Sequence, residues 1–236
     1  MDKILIYLLI KHKFIWDKVF CALKNKESVD TDQANKICES IKCDYITIIN
    51  DMYPYYLRTV YKPPFAIFYS GNFELMNKKH ICIESRIDNQ NLKCLKFLAV
   101  NDYVLCFRKT NLNKSELDLL VKSHLPFIIY VDNIKEIMNN NKLMKLIKNK
   151  QMCFVSELYG SNQKITPRFF YGSDNEVIFF NNLKSENDEA KTYLINKKNK
   201  VYLCTNKTYE FDLKLKSKLT LIKNFNDFKV VFINKN

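Results

Sequence analysis

From Lys79 onward, short apolar runs alternate with helix-like segments, and this alternation restricts the fold more than any single motif. The runs are 81–83, 103–107, 127–131, 152–155, 177–180 and 201–204, separated by helix-like segments at 91–100, 114–123, 134–149 and 186–197. In the segment 134–149 the apolar positions Ile134, Ile137, Met138, Leu143, Leu146 and Ile147 fall on one helical face. Runs of strand length between amphipathic segments predict a mostly parallel sheet covered by helices, an α/β Rossmann-like domain.

Before Lys79 the pattern differs. Residues 3–24 carry apolar positions at helical spacing. A second helix is expected from an N-cap at Asp30 or Thr31 to about Ile41, and 45–49 looks extended. This small, mostly helical part ends in the stretch 53–72, which holds Pro54, Pro63 and Pro64. Pro63-Pro64 forbids helix and is expected to push Lys62 into an extended conformation. Phe65 to Tyr69 suits a buried strand, and Gly71-Asn72 is a stop with easy access to positive φ. The domains expected are therefore 1–75, helical and ending in this connector, and 76–236, Rossmann-like. No Ser/Pro/Gly-rich linker separates them.

The net charge is +13, with 38 Lys+Arg against 25 Asp+Glu, which favours a polyanionic partner. Coding bias accounts for part of this, since lysine dominates and arginine occurs only as Arg58, Arg86, Arg108 and Arg168. The 8 cysteines have no CxxC spacing and sit in apolar stretches, so they read as buried hydrophobes in a reducing cytoplasm. The apolar run 4–10 is too short to span a bilayer, and no membrane role is expected.

Only 3 glycines are present, Gly71, Gly160 and Gly172, far apart. Neither a P-loop nor a GxGxxG turn can be built from them, which argues against a nucleotide cofactor in a glycine cradle. The histidines form no metal motif, and no metal or other cofactor is expected. Ser156-Glu157 follows a strand, but one carboxylate is weak ground for catalysis. The stronger pattern is basic. Arg86 falls just past the first strand of the sheet, Arg108-Lys109 just past the second, and Lys164 and Arg168 lie near Phe169, Phe170 and Tyr171. Cations for phosphates and rings for bases are what a single strand of nucleic acid needs.

The residue order adds a resemblance. Tyr-Pro, two residues, Leu, then Pro-Pro, a short apolar strand and Gly-Asn resembles the DNA-processing protein A (DprA/Smf) family. Cys82 to Arg86 falls where that family has a strand ending in Gly-Ser-Arg, with Ser85 and Arg86 matching and Glu84 replacing the glycine. Met152 to Glu157 matches a strand ending in Ser-Glu, and Thr205-Asn206 replaces Pro-Gly. The family's Ser-Gly-x-Ala-x-Gly-Ile-Asp stretch is replaced by 106–113, and its Phe-Pro-x-Arg-Asn-Arg stretch is reduced to Thr166-Pro167-Arg168-Phe169-Phe170. The resemblance implies a non-catalytic protein that binds single-stranded DNA, and with the basic pattern above the expected site is Ser85, Arg86, Arg108, Lys109, Lys164 and Arg168. It also implies a RecA-type recombinase as partner, a role in natural transformation, and a homodimer paired through the second domain. Two alternatives stand beside it: an interaction protein of the same fold without nucleic-acid binding, and a nucleotide-processing enzyme of a related fold.

Overall fold

The structure, a computed structural model, describes residues 1–147, 151–161, 163, 168, 176–180, 200–205 and 219–233. The chain divides into two units. The first comprises Met1–Phe73 and Tyr130–Phe169, the second Glu74–Ile129 and Phe170–Asn236. The first crossing falls between Phe73 and Glu74, and residues 130–169 group with the N-terminal part.

In the first unit the run of apolar positions over 3–24 breaks into α1 (Asp2–Lys11) and α2 (Trp16–Lys24). Between them Lys13 and Phe14 adopt φ of 52° and 60°. The Phe14 amide nevertheless donates to the Leu9 carbonyl at 2.8 Å. The joint is pinned because the Glu27 carboxylate takes both Lys11 Nζ (2.7 Å) and His12 Nε2 (3.0 Å). α3 (Thr31–Ser40) starts where expected, the Asp30 carboxylate accepting from the amides of Asp32 and Gln33. The unit's strands, β1 (Asp44–Thr47), β2 (Ala66–Gly71) and β6 (Met152–Ser156), lie in that order, both pairings antiparallel.

The connector before β2 closes on its own aromatics. Trp16 stacks on Phe20 and Phe65 (5.1 and 5.2 Å) and donates its indole N–H to the Pro63 carbonyl at 2.8 Å. The short helix α4 (Tyr55–Arg58) follows Tyr53, whose hydroxyl donates to the Pro64 carbonyl at 2.7 Å. Lys62 is not extended, as the following prolines predicted, but has φ of 51°. Its ammonium pairs with Asp17 at 2.6 Å and lies 5.4 Å from the centre of the Trp16 ring, contacts that compensate for the unusual backbone. Gly71 has φ of 115°, and a Cβ there would stand 2.4 Å from the Met152 carbonyl oxygen, so only glycine lets β2 approach β6.

Within the same unit the expected helix 134–149 is observed as α7 (Ile134–Met138) and α8 (Asn141–Ile147). The interruption is Asn139-Asn140, and the Asn140 side chain accepts from the Leu143 amide (3.3 Å), the local bonding that makes asparagine a helix end.

The second unit carries β3 (Lys79–Ile83), β4 (Tyr103–Arg108), β5 (Phe127–Tyr130, whose last residue counts with the first unit), β7 (Glu176–Phe180), β8 (Lys200–Cys204) and β9 (Leu219–Ile222). They lie in the order β5-β4-β3-β7-β8-β9. The pairings β3–β4, β3–β7, β7–β8 and β8–β9 are parallel. α5 (Asn89–Val100) and α6 (Lys114–Lys122) alternate with the first strands, and α9 (Phe225–Ile233) follows β9. The central strands β3 and β4 bury on both faces, Ile81 to Ile83 and Val104 to Phe107 being essentially inaccessible, as parallel strands inside a sheet require. Phe228 and Phe232 of α9 are fully buried, and Tyr202 packs 5.0 Å from Phe232. The expected helix 186–197 lies outside the described residues. The nine described strands and their helices give an α/β architecture with a mostly parallel sheet. Among the described residues no helix is long and apolar enough to cross a membrane.

Candidate nucleic-acid interface

In the second unit's strand order, the chain proceeds from β3 to β4 on one side and returns to β7 on the other. The carboxyl ends of β3 and β7 therefore form a topological switch point, where open α/β sheets place ligands. Ser85 and Arg86 stand there. Ser85 is buried, and its Oγ accepts from the Phe180 amide at 2.7 Å. The Glu84 amide donates to the Ile178 carbonyl at 3.0 Å, so the two strand ends are stitched together.

Glu84 is 1% exposed, a carboxylate inside the protein. The parallel register sets Ile83 against Phe107, and the next residues along, Glu84 and Arg108, meet as a salt bridge of 3.0 Å to the guanidinium Nε. Asn111 Nδ2 adds a hydrogen bond at 2.8 Å. A carboxylate without water needs such partners. Arg108 is thus committed to Glu84. Lys109 is half-buried with its ammonium 3.5 Å from the Leu112 carbonyl.

Arg86 is different. Its side chain is exposed, while its backbone is held on both sides. Asn91 Nδ2 donates to the Arg86 carbonyl (3.0 Å), and the Ile87 amide donates to Glu116 (3.0 Å). Glu116 is fixed in turn by a capping box with Asn113 at the start of α6. Asp88 is occupied as the cap of α5, accepting from the Asn91 amide at 2.7 Å. Among the described residues Arg86 makes no ion pair. A guanidinium on a rigid loop at a strand end is prepared to fork onto phosphate.

Arg168 belongs to the first unit. Its Nη1 lies 2.8 Å from Glu157, and its amide donates to the same carboxylate at 2.6 Å. Glu157, whose side chain is 2% exposed, is therefore no lone catalytic acid but half of an ion pair. Burial pushes the nearby phenols of Tyr53 and Tyr130 well above their ordinary range, with the Glu157 charge adding to it. Lys164, with Phe169, Phe170 and Tyr171, lies outside the described residues. The structure thus gathers Ser85, Arg86, Arg108 and Lys109 at one strand edge and places Arg168 on a separate carboxylate.

The same edge holds a feature that the sequence reading missed. A cleft of about 200 Å³ opens at the carboxyl ends of β7, β8 and β9, between α5 and α9. Its cations, Lys93 and Lys223, sit on a helix and in the tail, where nothing in the sequence marked them. Among the described residues no group of three or more His, Cys, Asp or Glu could hold a metal.

No family model matches the sequence, and no curated protein matches it. Solved structures do. DNA processing protein A from Streptococcus pneumoniae aligns over 91% of this chain and 80% of its own, at 15% identity and a TM-score of 0.54. DNA processing protein A from Helicobacter pylori, solved for its unique single-stranded DNA binding mode, aligns over 82% of this chain and 97% of its own, at 16% identity and a TM-score of 0.55. With the α/β architecture and strand order above, this chain has a DprA-like fold.

Proposed function

We propose that this protein binds single-stranded DNA and catalyses no reaction. The observation that carries the reading is Arg86: an exposed guanidinium on a loop fixed from both sides, at the switch point of a fold shared with a DprA that binds single-stranded DNA. The charge of +13 supplies the long-range attraction. Ser85 holds the loop, and Lys109 extends the basic edge. Recombinase loading during transformation and pairing into a homodimer complete the proposed role.

The test is a salt titration of a labelled single-stranded oligonucleotide. Arg86→Ala should weaken binding by about 1–3 kcal/mol, the scale of charged hydrogen bonds. It should also flatten the dependence of log affinity on log salt by about 0.7, one phosphate contact. The pairing of Arg108 and Arg168 with carboxylates favours a second reading, a contact protein without a nucleic-acid site. An unbound oligonucleotide at low salt would decide for it.

A further inference from the structure

The cleft beyond β7, β8 and β9 has the chemistry of a seat for one nucleotide. Phe180 and Phe225 each lie nearly parallel to Phe228, at 25° and 18° with centroids 6.4 and 6.5 Å away, so the cleft is lined by rings in similar planes. Phe225 is the half-exposed ring of the three, and the Lys229 ammonium, 4.8 Å from its centre, is the group a base would displace. A flat heteroaromatic base stacks on such a ring whatever its sequence identity.

The polar lining is already ordered. The Asn224 side chain accepts from the amides of Asn226 and Asp227, and the Thr205 amide donates to the Ile222 carbonyl at 2.9 Å. The starts of α5 and α9 both face this edge, but Asp88 caps α5 and Asp227 stands in the first turn of α9, so helix dipoles alone do not make an anion site. The lysines do. Lys93 and Lys223 line the cleft, are exposed, and make no ion pair among the described residues.

Size and chemistry narrow the choice of occupant. A volume of about 200 Å³ falls below the roughly 300–1,000 Å³ of cofactor-sized pockets, which favours a small occupant over a dinucleotide. Cys94 and Cys204 also line it, and burial raises both thiols, Cys94 to about 11, which disfavours the reactive thiolate.

We propose that this cleft binds a single nucleotide, its base against Phe225 and its phosphate between Lys93 and Lys223. The nucleotide is either a free nucleoside monophosphate or one residue of a bound strand. In the second case the inference rests on the strand-binding reading above; in the first it stands alone.

The full chain is titrated by calorimetry with dTMP and with thymidine, and by fluorescence anisotropy with a labelled oligo-dT. dTMP should bind, and thymidine at least about ten-fold more weakly for want of the phosphate. Phe225→Ala should weaken dTMP by at least about five-fold. Lys223→Glu, an exposed substitution that leaves the core alone, should do the same. Competition between dTMP and oligo-dT identifies a strand residue in the cleft; binding of both without competition identifies a free mononucleotide. If dTMP does not bind and oligo-dT affinity ignores Lys223→Glu, the inference is overturned while strand binding stands. If oligo-dT does not bind but dTMP does, strand binding fails and the cleft remains a nucleotide site. If neither binds, both are overturned.

Discussion

Arg108→Ala separates a structural arginine from a DNA-binding one. The Glu84 side chain is inaccessible, and its charge is met by Arg108 at 3.0 Å and Asn111 at 2.8 Å. Removing the guanidinium leaves a buried anion with one neutral donor among these partners, a loss of about 3–5 kcal/mol. For a chain of this length each kcal/mol lowers Tm by about 2–4 °C, so the variant should melt about 6–20 °C below wild type. The penalty is largest at high pH and shrinks as pH falls and the carboxyl takes up a proton. Replacing Glu84 as well should recover part of the loss, since the cost belongs to the buried carboxylate that lost its cation. Scanning calorimetry of the single and double variants at pH 8 and pH 5 measures all three effects. A Tm within about 2 °C of wild type, together with weakened oligonucleotide binding, would show Arg108 to be a surface ligand and refute the argument.

Two further outcomes follow from buried groups. His80 donates from Nε2 to the Leu75 carbonyl at 2.8 Å, and burial lowers its pKa from 6.5 to about 4. Its neutral form is the folded one, so this stability is present above pH 6.5 and drains as pH falls toward 4; urea unfolding should show about 2 kcal/mol lost between pH 7 and pH 5. His80→Gln should flatten that slope, and an unchanged slope would remove His80 as the cause. Gly71→Ala forces a side chain onto the Met152 carbonyl at a φ of 115°, so the urea midpoint should report a loss of about 3 kcal/mol or more. A loss below about 1 kcal/mol would mean that β2 and β6 can part at that point.

The central strands were legible because they are buried on both faces and must be continuous apolar runs, as at Ile81 to Ile83 and Val177 to Phe180. The joint at Lys13-Phe14 was not, because positive φ without glycine leaves no mark in the sequence. β9 and α9 were not among the expected elements: a four-residue strand and a nine-residue helix give periodicity little room. Arg86 and Arg108 looked alike as cations past strand ends. What separates them is the register: Glu84 and Arg108 are each one residue beyond the paired Ile83 and Phe107, a relation that needs the strand pairing to be known.

The pairing of Gly71 with Cys153 also sets a timetable for the nascent chain. β2 leaves the ribosome roughly 80 residues ahead of the strand that covers its second edge, a wait of about 4–16 s at ordinary elongation rates. Throughout that interval Ile67 and Phe68, buried in the finished protein, sit on a strand with an open row of amides and carbonyls. The N-terminal part of this protein is thus made first and completed late, and a holding chaperone would find its binding site between residues 66 and 71.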